Sequence, residues 1–296
     1  MSKKTRGIGN VDFIRQGSEV AVQDQPFWDF IYQTSTVKSD KYNVGDRVVT
    51  PDGRVFRYAK AAAVCDPEFG AYNPLKTIAN AVAPTQSVIS GPVLNSFGSA
   101  NTTTAGSLGA NVVTITVGAT AGVAGDGVIA EDELRGGSIV IGNGTSQHPQ
   151  MRGIIGNTAV AAGGGTCDVY LDASLIAAVA VGTTNIEALY NRYSAVKGDQ
   201  AGGAYVSFLG VPAARATVGQ YFWLQTWGSC WITSDGTTGA AANGREIYFM
   251  NNGSVVSSDK LVDGATNVLY QRAGFALDAS STGASNAPMV MLQISI

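Results

Sequence analysis

GQYFWLQTWGSCWITSDG, residues 219–236, decides the fold. Successive side chains of an extended backbone point to opposite faces, so Tyr221, Trp223, Gln225 and Trp227 share one face. Phe222, Leu224 and Thr226 occupy the other. Both faces are bulky, which predicts a strand covered on two sides. A break is expected at Gly228, giving strands at 220–227 and 230–233, and Asp235-Gly236 supplies a turn after them. Tyr221, Trp223, Trp227 and Trp231 are therefore candidates for a domain core. Because Trp and Tyr are enriched at subunit contacts, an interface is the alternative to that core.

The same habit continues on either side. Downstream, residues 246–250, 254–256, 273–277 and 288–296 read as short strands, with Asn252-Gly253 marking a turn. Upstream, YNVGDRVVTPDGRVFRYAK at 42–60 places two valine-rich runs around Pro51-Asp52-Gly53, a hairpin signature. NVVTITVG at 111–118 is rich in β-branched residues on both faces. SIVIG at 138–142, residues 152–155, TCDVYL at 166–171 and residues 205–209 extend the series. Residues 61–104 carry Pro67, Pro74, Pro84 and Pro92 and read as loops and edge pieces, because proline removes a ladder donor. ASLIAAVAV at 173–181 is too short to separate a helical turn from a strand. No sustained amphipathic helix is visible. The chain reads as all-β, with sandwich or barrel, jelly-roll-like domains.

Residues 1–40 follow no clear period. Phe13, Ile14, Val20, Val22, Phe27 and Trp28 are scattered among polar neighbours. Such residues suit an extended N-terminal arm that buries them against another subunit, and packing on their own domain would serve as well. The organisation read from sequence is an arm at 1–40, a hairpin and loop region at 41–104 packing with the C-terminal part, a middle β domain at 105–195 and a C-terminal β domain at 196–296.

Composition narrows the function. Only 14% of residues are charged, against about 25% in ordinary soluble domains. Weak repulsion between copies suits a protein whose surface is covered by neighbours, and an ordinary secreted β protein is the plainer reading. Net charge is −3, so no basic stripe for phosphates is expected, and nucleic acid is not an expected partner. The start, MSKKTRGIGN, lacks an apolar signal segment, and no run reaches the length of a membrane span. Neither a membrane nor export is therefore expected.

Catalytic signatures do not assemble. His148, the single histidine, sits in NGTSQHPQ, which reads as a turn-like loop. A triad or a multi-histidine metal site has nothing to build on. Asp126, Glu131, Asp132 and Glu133 form the densest acidic patch; a solvated loop accounts for it better than a carboxylate pair or a Ca²⁺ site. Cys65, Cys167 and Cys230 share no ligand spacing and are expected as buried, reduced thiols. Sequons at Asn101, Asn143 and Asn252 arise easily in a chain this rich in Ser and Thr. No cofactor and no metal are expected.

Three of these stretches together resemble the head-decoration and related structural proteins of tailed bacteriophages. Residues 219–236 match their aromatic strand ending in Trp-Gly, a short strand, an Asp-Gly turn and a run to an apolar last strand, here at 290–296. GGSIVIGNGTSQHPQMRGI at 136–154 is similar to their central region, and the hairpin at 42–60 fits their N-terminal portion. The resemblance implies a non-enzymatic, self-assembling virion protein, a capsid cement put together in a host cytoplasm. Its partners would be copies of itself and a major capsid protein. Two alternatives remain open: the subunit of an extracellular or phage-related filament joined by arm exchange, and a carbohydrate-binding module of a tail fibre or spike.

Overall fold

The computed structural model describes residues 19–21, 28–73, 107–117, 127–143, 147–178, 184–198, 207–235, 238, 245–258, 271–278 and 288–295. The fold is all-β. The chain divides into two compact units, residues 1–73 with 196–296, and residues 74–195. The sequence boundary at 196 coincides with the division after Ala195, the one at 105 is replaced by a division after Asn73, and none falls at 41; the hairpin shares one unit with the C-terminal third.

In the first unit, β1 (Glu19–Ala21), β2 (Arg47–Val49), β3 (Val55–Lys60), β11 (Tyr221–Trp231), β15 (Met289–Gln293), β14 (Arg272–Ala276), β12 (Glu246–Phe249) and β13 (Val255–Ser257) lie side by side in that order. β4 (Ala71–Asn73) pairs with β10 (Ser207–Pro212), which also pairs with β11. The hairpin β2–β3 forms as expected. Gly53, at φ 81°, donates its N–H to the Thr50 carbonyl at 2.9 Å, a conformation that glycine reaches without steric cost. The Thr50 hydroxyl and the Arg54 side chain and backbone N–H bind Asp52. Burial opposes ionisation of Asp52, but these hydrogen bonds outweigh it and hold the carboxyl below its usual range.

β11 organises this unit. It pairs with β3 from Tyr221 to Trp227 and with β15 from Trp227 to Trp231. The break expected at Gly228 is absent, and the strand runs on through it as 11 residues. Gly228 has φ 96°, and a Cβ there would lie 2.8 Å from Arg54 Cγ and 3.0 Å from Arg54 Cα. Glycine here lets the strand continue past a close neighbour. Beyond β11 the chain closes a half-barrel: Ser234 bridges Val255 in parallel, and the Val255 N–H donates to the Thr233 carbonyl at 2.9 Å. The interior holds Cys230, Ile232, Ile247, Phe249, Val255, Val290 and Leu292.

The second unit is an antiparallel sheet in the order β5 (Val112–Val117), β8 (Gly165–Leu171), β7 (Gln147–Asn157), β6 (Ser138–Asn143) and β9 (Thr184–Leu189). Its core includes Val113, Ile115, Ile139, Ile154, Val169 and Leu175. One expectation is corrected here, and one open stretch is decided. His148 lies within strand β7, not in a turn-like loop; the register shift between Ile141 and Asn143 accommodates the proline after it. Among residues 173–178 no helical turn forms, because the backbone is taken up elsewhere. Leu175 exchanges hydrogen bonds with Gly109 and Ala110, and the Gln150 side chain binds Ile176 and Ala177. Among the described residues no helix is long and apolar enough to cross a membrane.

Candidate interaction surface

The aromatic residues singled out from sequence fall into two settings. Trp223 is buried at the centre of a ring cluster. Its indole lies 4.9 Å from Tyr42, 5.0 Å from Tyr58 and 5.6 Å from Phe30, between ring centroids. Tyr221, half-buried, stacks on Tyr58 at 5.7 Å and carries the Lys60 ammonium over its face at 5.6 Å. Ile31, Val48 and Phe56 complete this core. Burial raises the pKa of both Tyr42 and Tyr58 above the usual phenol value. These aromatics are core.

Trp227 is half-buried, between Val55 on β3 and Gln293 on β15, and Trp231 behaves differently. After Gly228 the alternation of β11 becomes strict: Cys230 and Ile232 turn inward, while Ser229 and Trp231 turn out. Trp231 stands directly opposite Met289 on β15. Ala276 pairs with Val290 and the Leu277 N–H donates to the Met289 carbonyl at 2.8 Å, so Leu277 is next in the same row. Trp231, Met289 and Leu277 are 47%, 45% and 43% exposed. The next row contains Met291 opposite Phe275, both half-buried. Glu246 and Arg272, 3.4 Å apart, stand at the rim, and Arg272 also reaches Gln293 at 3.1 Å. The outer face of the half-barrel therefore carries a contiguous apolar row across three strands.

Sequence reading reached Trp231 but missed Met289 and Leu277. The signal was present in residues 288–296, where Met289 and Met291 alternate with Val290 and Leu292. A strand without a polar face has either two covered sides or one apolar side turned to solvent.

Of the arm residues, Phe13, Ile14, Val22 and Phe27 lie outside the described residues. Val20 is in β1, opposite Val48 in parallel register, and Trp28 opens a 3₁₀ turn at Trp28–Tyr32. That turn belongs to the first unit's own core: Ile31 is buried, Phe30 packs on Trp223, and Ser35 bridges Tyr221. Any arm therefore ends before Glu19, because β1 already joins the unit's own sheet and Phe30, Ile31 and Ser35 pack on or pair with its aromatic strand.

The chemistry-bearing residues are held structurally. Glu131, Asp132 and Glu133 lie in a turn where Glu133 accepts the Ala130 N–H at 2.7 Å and Asp132 lies 3.8 Å from Arg135. Asp132 has φ 59°, a region that aspartate tolerates better than most residues. Buried Asn157 fastens the turn, donating to the Ala130 carbonyl and accepting the Leu134 N–H. Asp126, Asn101 and the His148 side chain lie outside the described residues. Among the described residues no group of three or more His, Cys, Asp or Glu side chains could hold a metal ion.

All three cysteines are buried and free. Burial pushes the Cys65 and Cys230 thiols up to about 12 and raises Cys167 as well. A thiol reacts as its thiolate, so a disulfide-exchange reagent should titrate none of the 3 cysteines in the native protein and all 3 after denaturation. A thiol that reacts quickly in the folded state would contradict this burial.

No protein-family model, no curated protein and no solved structure matches the chain. Function therefore rests on the residues themselves.

Proposed function

We propose that this chain is a non-enzymatic, self-assembling structural protein of a virion, docking on a capsid as a decoration protein. The exposed Trp231–Met289–Leu277 row carries this reading. Apolar side chains aligned on a barrel wall are a preformed contact surface, and contiguous exposed patches of this kind mark interaction sites. The small charged fraction, 14%, supports it, since neighbouring copies repel little. A row of three partly exposed side chains is a small contact. A small contact suits a lattice, where many weak unions multiply through effective concentration. The resemblance in residues 42–60, 136–154 and 219–236 points the same way.

Electron microscopy of the purified protein, alone and mixed with capsids, tests the proposal. Decoration predicts monomers or small discrete oligomers that coat capsids. Fibres formed without any capsid would replace it with the filament reading. Glycan-array binding abolished by Trp231→Ala would replace it with the carbohydrate-binding one.

A further inference from the structure

We infer that the Trp231–Met289–Leu277 face receives the segment preceding β1 of a second copy of this chain, seated through Ile8, Val11, Phe13 and Ile14. The inference rests on the assembly reading above and names the two surfaces that meet.

Three observations carry it. The first is chemical fit. The receiving row is apolar and solvent-facing, and the 18 residues ahead of Glu19 place Val11, Phe13 and Ile14 close together. The second is charge. Residues 1–18 carry Lys3, Lys4, Arg6 and Arg15 against Asp12 alone, a balance of +3. The whole chain has 19 basic and 22 acidic side chains, which leaves 15 basic and 21 acidic, a balance of −6, for the rest. A cationic segment and an anionic body attract one another between copies.

The third is direction. Register links Glu19 to Arg47, Arg47 to Arg57 and Arg57 to Leu224, so Glu19 stands level with Leu224 of β11. β1 is parallel to β2, while β3 is antiparallel to both β2 and β11, so β1 and β11 run the same way. Trp231 lies seven residues ahead of Leu224 in that direction, about 23 Å at the strand rise. β1 therefore starts at the Tyr221 end of the sheet, and the Trp231 row lies at the other. A neighbour stacked head to tail at that end brings its own row beside the start of β1. A donor at one end of this sheet and an acceptor at the other make a heterologous contact, which closes into a small ring of copies, a discrete oligomer of the kind decoration requires.

Photo-crosslinking of the full chain tests this. Phe13→p-benzoylphenylalanine would be made in isotopically light and heavy copies, mixed under assembling conditions and irradiated. The expected product joins residue 13 of one isotope to a peptide carrying Trp231 or Met289 of the other. Crosslinks confined to single-isotope pairs, crosslinks to another surface, or no crosslink would overturn the inference. A second protein, Trp231→Ser with Met289→Ser, alters only exposed positions and should keep its melting temperature. It should need at least about tenfold more protein to self-associate in sedimentation. If that variant self-associates like the parent, the docking site is wrong and the assembly reading stands. If the parent itself stays monomeric and binds no capsid, the assembly reading fails, and the inference with it.

Discussion

Trp223→Ala should lower the unfolding free energy of the first unit by about 3–5 kcal/mol, the range for truncating a buried large aromatic. Trp223 touches Phe30, Tyr42 and Tyr58, each at an inter-ring distance where aromatic pairs attract beyond simple burial. The 3₁₀ turn at Trp28–Tyr32, the hairpin β2–β3 and strand β11 all converge on this indole, so the cavity left by alanine borders three elements that cannot all collapse into it. Trp231→Ala, on the exposed face of the same strand, should cost less than about 1 kcal/mol. Denaturant melts followed by circular dichroism measure both. The chain has two compact units, so each transition should be fitted separately rather than as one two-state step. Equal losses for the two tryptophans would mean that the division of β11 into a core half and a surface half is wrong.

That division also marks how far the sequence could be read. Period-2 alternation and the Pro51-Asp52-Gly53 and Asn252-Gly253 turns were local signals, and local signals placed most of the strands; β1, β4 and β9, short or without clear alternation, were not read. The β2–β3 and β12–β13 hairpins follow from them. Three features depended on distant residues and left no local trace. The continuation of β11 through Gly228 requires Arg54 to pass close by, a contact more than 170 residues away in the chain. His148 falls in a strand because β7 itself takes up the irregularity, fitting His148 and Pro149 opposite the single residue Gly142 of β6. Phe30 and Ile31 join a core rather than an arm because Trp223 and Phe56 arrive from elsewhere in the chain. The candidate surface was legible in part: Trp231 stood out by type, but its neighbours in the row belong to β15 and the end of β14, and only strand order brings them together.

The interaction face also depends on a position without a side chain. In β14, Gly274 lies between Ile247 of β12 and Leu292 of β15, beside the bulge that sets Tyr248 opposite Arg272. Its φ is +150°, and an added Cβ would collide with the Met291 carbonyl oxygen and lie 3.3 Å from the Gln293 nitrogen. Real Cβ atoms essentially never approach within 3.0 Å, and the obstacle here is strand backbone, which cannot swing aside. Gly274→Ala must therefore part β14 from β15, opening the pairs from Gly274–Leu292 to Ala276–Val290 and unpacking Ala273, Val290 and Leu292. The expected result is loss of the folded half-barrel: insoluble protein, or a first-unit transition missing from the melt. Gly163→Ala is the control. It also has positive φ, +90°, but nothing lies within 4 Å of the added atom, so backbone strain alone should cost about 1–2 kcal/mol. If the two substitutions proved equally mild, β14 and β15 could not be as close as described. Leu277 would then no longer stand beside Met289, and the row proposed to bind a neighbour would lose its third member.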